Sequence, residues 1–199
     1  MYTLIVFLSS AGALTLEIVA GRLIAPYVGM SLYTWTAVIA VVLTGLSAGH
    51  WVGGTLAHRA RDIDRAKLYM AVSLVAASIT TLLSLPLLRM IASPLLGAGT
   101  GPVSAVLLLS SVLFFGPSMC IGVISPLATK LALDEDPASS GKILGRMFAA
   151  GALGSILGTL ASGYVFISWI GSTGTVIAAV TSGSECPRHE TAAPPDASI

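Results

Sequence analysis

Among the residues able to do chemistry, one acid stands where a charge is costly. Glu17 lies in a long apolar run, LTLEIVAGRL. An ionised side chain at bilayer depth costs at least about 2.5 kcal/mol, so an intramembrane acid is a functional candidate by default. Its neighbours at three- and four-residue spacing are Ala13, Ala20 and Gly21, with Ser10 further back. Such a small, polar stripe belongs on the bundle side of a helix rather than the lipid side. Arg22, five residues on, is well around the helix from Glu17 and is expected to snorkel outward rather than pair with it. A rise of about 1.5 Å per residue puts Glu17 roughly 10 Å below the outer surface. Ser110, Ser111, Thr159 and Ser162 are expected at similar depth and could donate hydrogen bonds to it, so Glu17, Arg22, Ser110 and Thr159 form a first candidate site. Two readings of Glu17 stand at this point: a protonated or hydrogen-bonded packing residue, and a group that meets a solute or a proton.

A second candidate set, His50, His58, Arg59 and Arg61, sits around the end of the second predicted helix and reads as a gate or cytoplasmic loop. The bland reading of His50, beside Trp51, is a satisfied packing residue near an interface. The three histidines are scattered, with no CxxC or HxxxH spacing to join them. Cys120 lies in an apolar run and Cys186 in a polar stretch. Neither a metal site, a cofactor nor a disulfide framework is expected. Tyr33, Trp35, Trp51 and Trp169 fit interfacial aromatic belts, and Met147 and Phe148 read as packing.

The elements that must hold these groups are hydrophobic helices. Of 199 residues, 55% are hydrophobic and 10% charged, and the mean hydropathy is +0.90. Soluble domains carry about 25% charged residues, so this is the composition of an all-α, polytopic transmembrane bundle, not of a soluble enzyme. A net charge of +1, with no basic patch interleaved with aromatics, leaves nucleic acid out as a partner. A crossing takes about 20 helical residues. Five runs qualify, at 3–24, 33–57, 68–91, 103–133 and 143–164, and a weaker sixth covers 166–181. The first run lacks a basic flank and is interrupted by Glu17, so it reads as a retained span rather than a signal peptide. The fourth is long for one crossing; it either emerges from the membrane or kinks at Pro117 or Pro126. The transmembrane domain is thus 1–182. A polar, proline-rich tail at 183–199 reads as disordered.

Arg59, Arg61, Arg65, Lys67, Lys130, Lys142, Arg146 and Arg188 fall on one side if six helices alternate, against Arg22 and Arg89 on the other. The positive-inside rule then puts both termini in the cytoplasm. Helix two carries a stripe of Gly45, Gly49 and Gly53; helix five carries Ala150, Gly154, Gly158 and Ser162. Small residues one turn apart let helix backbones approach closely in lipid. With prolines near the ends of helices one and four (Pro26, Pro126), the echo points to two three-helix repeats, the plan nested in each half of a major facilitator transporter.

Three blocks carry a resemblance to a known family: LEIVAGRLIAPYVGMSLYTWTAVIAVVLTGLSAGHWVGGTLAHR (16–59), FFGPSMCIGVISPLATKLAL (114–133) and GKILGRMFAAGALGSILGTLASGYVFISWIG (141–171). In order, they resemble the membrane domain of bacterial fused major-facilitator/spermidine-synthase-like proteins, over residues 4 to about 180. That resemblance implies a bacterial inner-membrane, transporter-like module, followed in the family by a cytosolic aminopropyl-transferase-like domain. No glycine-rich strand–turn–helix nucleotide loop follows here, so aminopropyl transfer is not expected of this polypeptide. The stretch GTLAHRAR also resembles the facilitator loop after the second helix, with His58 at the position of its aspartate; that departure removes the acidic group from any gating role. The functional expectations are a non-catalytic module for a small polar or cationic solute, or an anchor for a separate cytosolic transferase-like enzyme. The alternative is a structural accessory subunit of a larger membrane complex. Besides the lipid bilayer, the expected partners are other membrane subunits or a second copy, since six helices are half of a typical facilitator.

Overall fold

The computed structural model describes residues 1–60, 62–97 and 101–166. Every regular element among them is helical: α1 (Tyr2–Val28), α2 (Leu32–Arg59), α3 (Ile63–Gly97), α4 (Pro102–Glu135) and α5 (Ser140–Ala161). A 3-10 turn, Pro137–Ser139, joins α4 to α5, and a π turn, Ser162–Phe166, continues α5. Five helices are long and apolar enough to cross a membrane, and the chain is a multi-pass membrane protein. The sixth expected span and the polar tail lie outside the described residues, as do Arg61 and Trp169.

Local chemistry sets the ends. Gly29 closes α1 with φ +80°, its N–H donating to the Ala25 carbonyl at 2.8 Å; this left-handed conformation is nearly free of steric cost only for glycine. Ser31 then caps α2 by accepting from the Thr34 N–H at 3.2 Å, and Thr34 Oγ1 donates back to the Gly29 carbonyl at 2.9 Å. The outcome is a tight α1–α2 connection. Pro102 opens α4, where the missing N–H is harmless. Its 34 residues run through Pro117 and Pro126 as one helix. At about 1.5 Å per residue this is roughly 50 Å, well beyond a bilayer core of about 30 Å, so one end of α4 stands clear of the hydrocarbon or the helix tilts.

Two buried clusters mark the two ends. Tyr2, Ala57, Ala66, Leu131 and Ile143 share one of them, so the start of α1, the end of α2, the start of α3, the end of α4 and the start of α5 lie together. This is the end with Arg59, Arg65, Lys67, Lys130, Lys142 and Arg146. Ile24, Val38, Leu88 and Leu109 share the other. Successive helices therefore alternate in direction.

The closest packing is between helices that run the same way. On α2, a Cβ at Gly45 would lie 2.9 Å from the Phe115 carbonyl oxygen, one at Gly53 would lie 2.7 Å from that of Val123, and one at Gly49 would overlap that of Met119. On α5, Gly154 and Gly158 stand in the same way against the carbonyls of Phe7 and Ala11 on α1. Both pairs use one device, a glycine facing a main-chain carbonyl every four residues. Packing of this kind replaces the hydrophobic effect as the glue between helices in lipid. The α1–α5 pair adds a buried hydrogen bond from Thr15 Oγ1 to the Gly158 carbonyl at 3.3 Å. Interhelical bonds in membranes average about 0.6 kcal/mol, so Thr15→Val should lower stability in SDS titration by about that much; a loss above about 2 kcal/mol would show that the hydroxyl has a larger role.

Candidate functional site

With α2 clasped to α4 and α5 clasped to α1, a cavity of about 790 Å³ is left between the two pairs at the basic end. The elements place its groups as follows. α1 contributes Val6 and Ser10, and α2 contributes His50, Gly54 and Ala57. Ser125, Thr129, Lys130 and Asp134 come from α4; Leu144, Met147, Phe148, Gly151 and Ser155 come from α5. A smaller chamber of about 140 Å³ continues inward past Ala13, Leu46 and Gly122. Ser10, His50, Ser125 and Ser155 line both spaces.

These four groups come from four helices, and none of the four side chains makes a hydrogen bond to another described residue. Nearby polar groups are satisfied locally. Ser9 Oγ donates to the Val6 carbonyl at 3.1 Å, and Thr129 Oγ1 to the Ser125 carbonyl at 2.8 Å. Lys130 Nζ donates to the Asp134 carboxylate one turn on, and both line the wider space. The charges of the cavity are thus paired, and its free hydrogen-bonding capacity lies deeper. Gly151 makes room for this: a Cβ there would lie 3.3 Å from Ser10 Oγ.

The structure does not assemble the first candidate site through hydrogen bonds. Glu17 is half-buried and makes no hydrogen bond or ion pair with the described residues. Arg22 is exposed, and so are Ser111 and Thr159. Ser110 is fully buried without a partner for its hydroxyl. Ser162 turns back on its own helix, donating to the carbonyls of Gly158 at 2.8 Å and Thr159 at 3.1 Å. The stripe beside Glu17 does face the bundle: Ala13, Ala20 and Gly21 are buried, with the Trp35 ring against Gly21. Trp35 is thus partly a packing residue, while Tyr33 and Trp51 are exposed. Seven residues separate Ser10 from Glu17, nearly two turns, so Glu17 continues the chamber's face of α1 toward the opposite end.

The second candidate set divides. His50 enters the cavity, whereas His58 and Arg59 lie with His50 and Trp51 along a shallow outer face of α2. Arg61 lies outside the described residues. Met147 is in the core, but Phe148, expected to pack, is 77% exposed. Among the described residues no group of three or more His, Cys, Asp or Glu could hold a metal ion.

Ser125 and Ser155 were not legible as site residues from their own neighbourhoods. Depth would have found Ser125. Ser10, His50 and Ser125 lie eight, nine and ten residues from the basic end of their helices, and Ser155 fifteen, or about 12 to 22 Å along the axes. Polar residues at matched depth in alternating helices are the sequence signal. No protein-family model matches the chain, and no curated protein or solved structure matches it either.

Proposed function

We propose that this chain is a non-catalytic, transporter-like membrane module for a small polar or cationic solute. The observation that carries the proposal is the cavity between the two clasped pairs, set in the basic-end half of the bundle and lined by polar groups from α1, α2, α4 and α5. Polar side chains within a bilayer are tolerated where they meet one another or a water-filled path, and these four do not meet one another through hydrogen bonds. The basic end is the cytoplasmic one by the positive-inside rule, in the bacterial inner membrane that the family resemblance implies.

The same geometry supports a three-plus-three plan. Exchanging α1 with α4 and α2 with α5 converts the α2–α4 clasp into the α5–α1 clasp. Because α1 and α4 run in opposite directions, the halves are of inverted topology. A sixth span at 166–181 completes the second half and brings the C-terminal tail to the cytoplasm. A second copy, or a related membrane subunit, supplies the remaining wall of the path. Anchoring of a cytosolic transferase-like enzyme is the accompanying role implied by the resemblance, and an accessory subunit of a larger complex is the competing one.

The test is flux. Proteoliposomes holding the full chain should take up at least one of a neutral, a cationic and an anionic small solute at least tenfold faster than protein-free vesicles. Glu17→Gln should slow that uptake several-fold. If every solute enters at the protein-free rate, the transport reading fails and the accessory reading gains.

A further inference from the structure

The chamber inside the cavity has a selectivity written in its lining. Ser10, Ser125 and Ser155 each offer a hydroxyl that both donates and accepts, and the imidazole of His50, in its neutral form, offers one donor and one acceptor. No unpaired charge accompanies them: Lys130 and Asp134, the charged groups of the wider space, bond to each other. Glu17 is not among the residues lining the chamber. An ion drawn from the wider space into the narrower one sheds part of its hydration shell and meets no unpaired counter-charge to replace it, which disfavours it relative to a neutral solute. A neutral molecule with several hydroxyls exchanges its water hydrogen bonds for protein ones and carries no such penalty.

Size narrows the class. A chamber of about 140 Å³ equals the liquid share of about four to five waters, at about 30 Å³ each. This is room for a molecule the size of glycerol, with the wider space behind it for a longer homologue. Ala13, Leu46 and Gly122 supply small or apolar walls between the polar groups, which suits the carbon skeleton of such a solute.

We propose that the chamber bounded by Ser10, His50, Ser125 and Ser155 is a binding site for small, uncharged polyhydroxyl solutes and that it discriminates against ions. This rests on the transport reading of the same cavity and names its substrate class.

Glycerol serves as the probe. The full chain, reconstituted in glycerol-free nanodiscs with ¹⁵N-labelled histidine, is titrated with glycerol, erythritol, choline and lactate. The His50 imidazole signal is identified by its loss in His50→Gln. Glycerol and erythritol should move it saturably, and choline and lactate should leave it in place. Ser125→Ala combined with Ser155→Ala should weaken the glycerol response at least tenfold. A response to choline or lactate but not glycerol, or no response to any of the four, overturns the assignment. Osmotic swelling of proteoliposomes separates the two layers of the argument. Saturable glycerol binding without faster glycerol entry keeps the chamber's ligand class and removes transport. Entry of choline or lactate without glycerol keeps transport and removes the class.

Discussion

Gly49→Ala should lower the stability of the bundle by about 2 kcal/mol, although alanine is the better helix former by about 1 kcal/mol. The methyl group would overlap the Met119 carbonyl oxygen, with the Gly122 Cα 2.9 Å away. Both obstacles are backbone, so no rotamer change relieves them, and α2 must move off α4. Overpacking a tight interface typically costs about 1 to 3 kcal/mol. Here the cost should lie at or above the upper end, because in lipid this close approach is itself the driving force for association. Gly154→Ala, set against the Phe7 carbonyl on α1, should behave alike. Gly145→Ala is the control: a Cβ there meets nothing within 4 Å, so the intrinsic preference acts alone and stability should rise. SDS titration followed by tryptophan fluorescence reads all three. The opposite signs are the content of the prediction, and a Gly49→Ala variant as stable as Gly145→Ala would remove the clasp as the basis of the fold.

The two stripes also show what a sequence of this kind discloses. Glycines at four-residue spacing in helices two and five announced tight packing, and the packing is there. Their partners were not legible, because a stripe states that a backbone comes close without stating whose. The α2–α4 and α1–α5 choice is made by Phe115, Met119 and Val123 on one side and Phe7 and Ala11 on the other, residues ordinary in any apolar run. The spans were legible to within a few residues, except α3. The expected run, 68–91, starts five residues after and ends six residues before the helix Ile63–Gly97. Long helices that leave the membrane need no apolar surface there, and a proline inside a spanning helix is tolerated when neighbouring helices support it.

The site was legible in part, and for a physical reason. Glu17 drew notice because a carboxylate is the most costly group in the run, and cost is what sequence reading measures best. The cavity, however, is assembled from serines, which are common in membrane helices and cheap when they bond to their own backbone, as Ser9, Ser73, Ser78 and Ser84 do. Ser10, Ser125 and Ser155 do not, and they line one cavity together, which appears only once four helices are placed. His50 was singled out with the cytoplasmic loop; its place is one layer deeper, at the junction of the two spaces.

If that junction is reached by water from the basic end, a thiol placed there should report it. Ser155→Cys, in a chain whose Cys120 and Cys186 have been changed to alanine, should react with a membrane-impermeant maleimide added on the cytoplasmic side. The rate should exceed that of Leu127→Cys, a fully buried position on α4, by about a hundredfold. The reasoning is chemical: maleimides attack thiolate, and a thiol ionises appreciably only where water or a positive charge stabilises the anion. A cavity of about 790 Å³ leading to Ser155 supplies the water, whereas the packing around Leu127 supplies none. Added from the opposite side, the reagent should leave Ser155→Cys unmodified, since most residues lining both spaces lie in the basic-end half of the bundle. Reaction from the opposite side alone would reverse the orientation inferred from Arg59, Arg65, Lys67, Lys130, Lys142 and Arg146. Equal reaction from both sides would describe a continuous pore rather than a cavity open at one end, and the inverted halves would then have to be read as the walls of a channel.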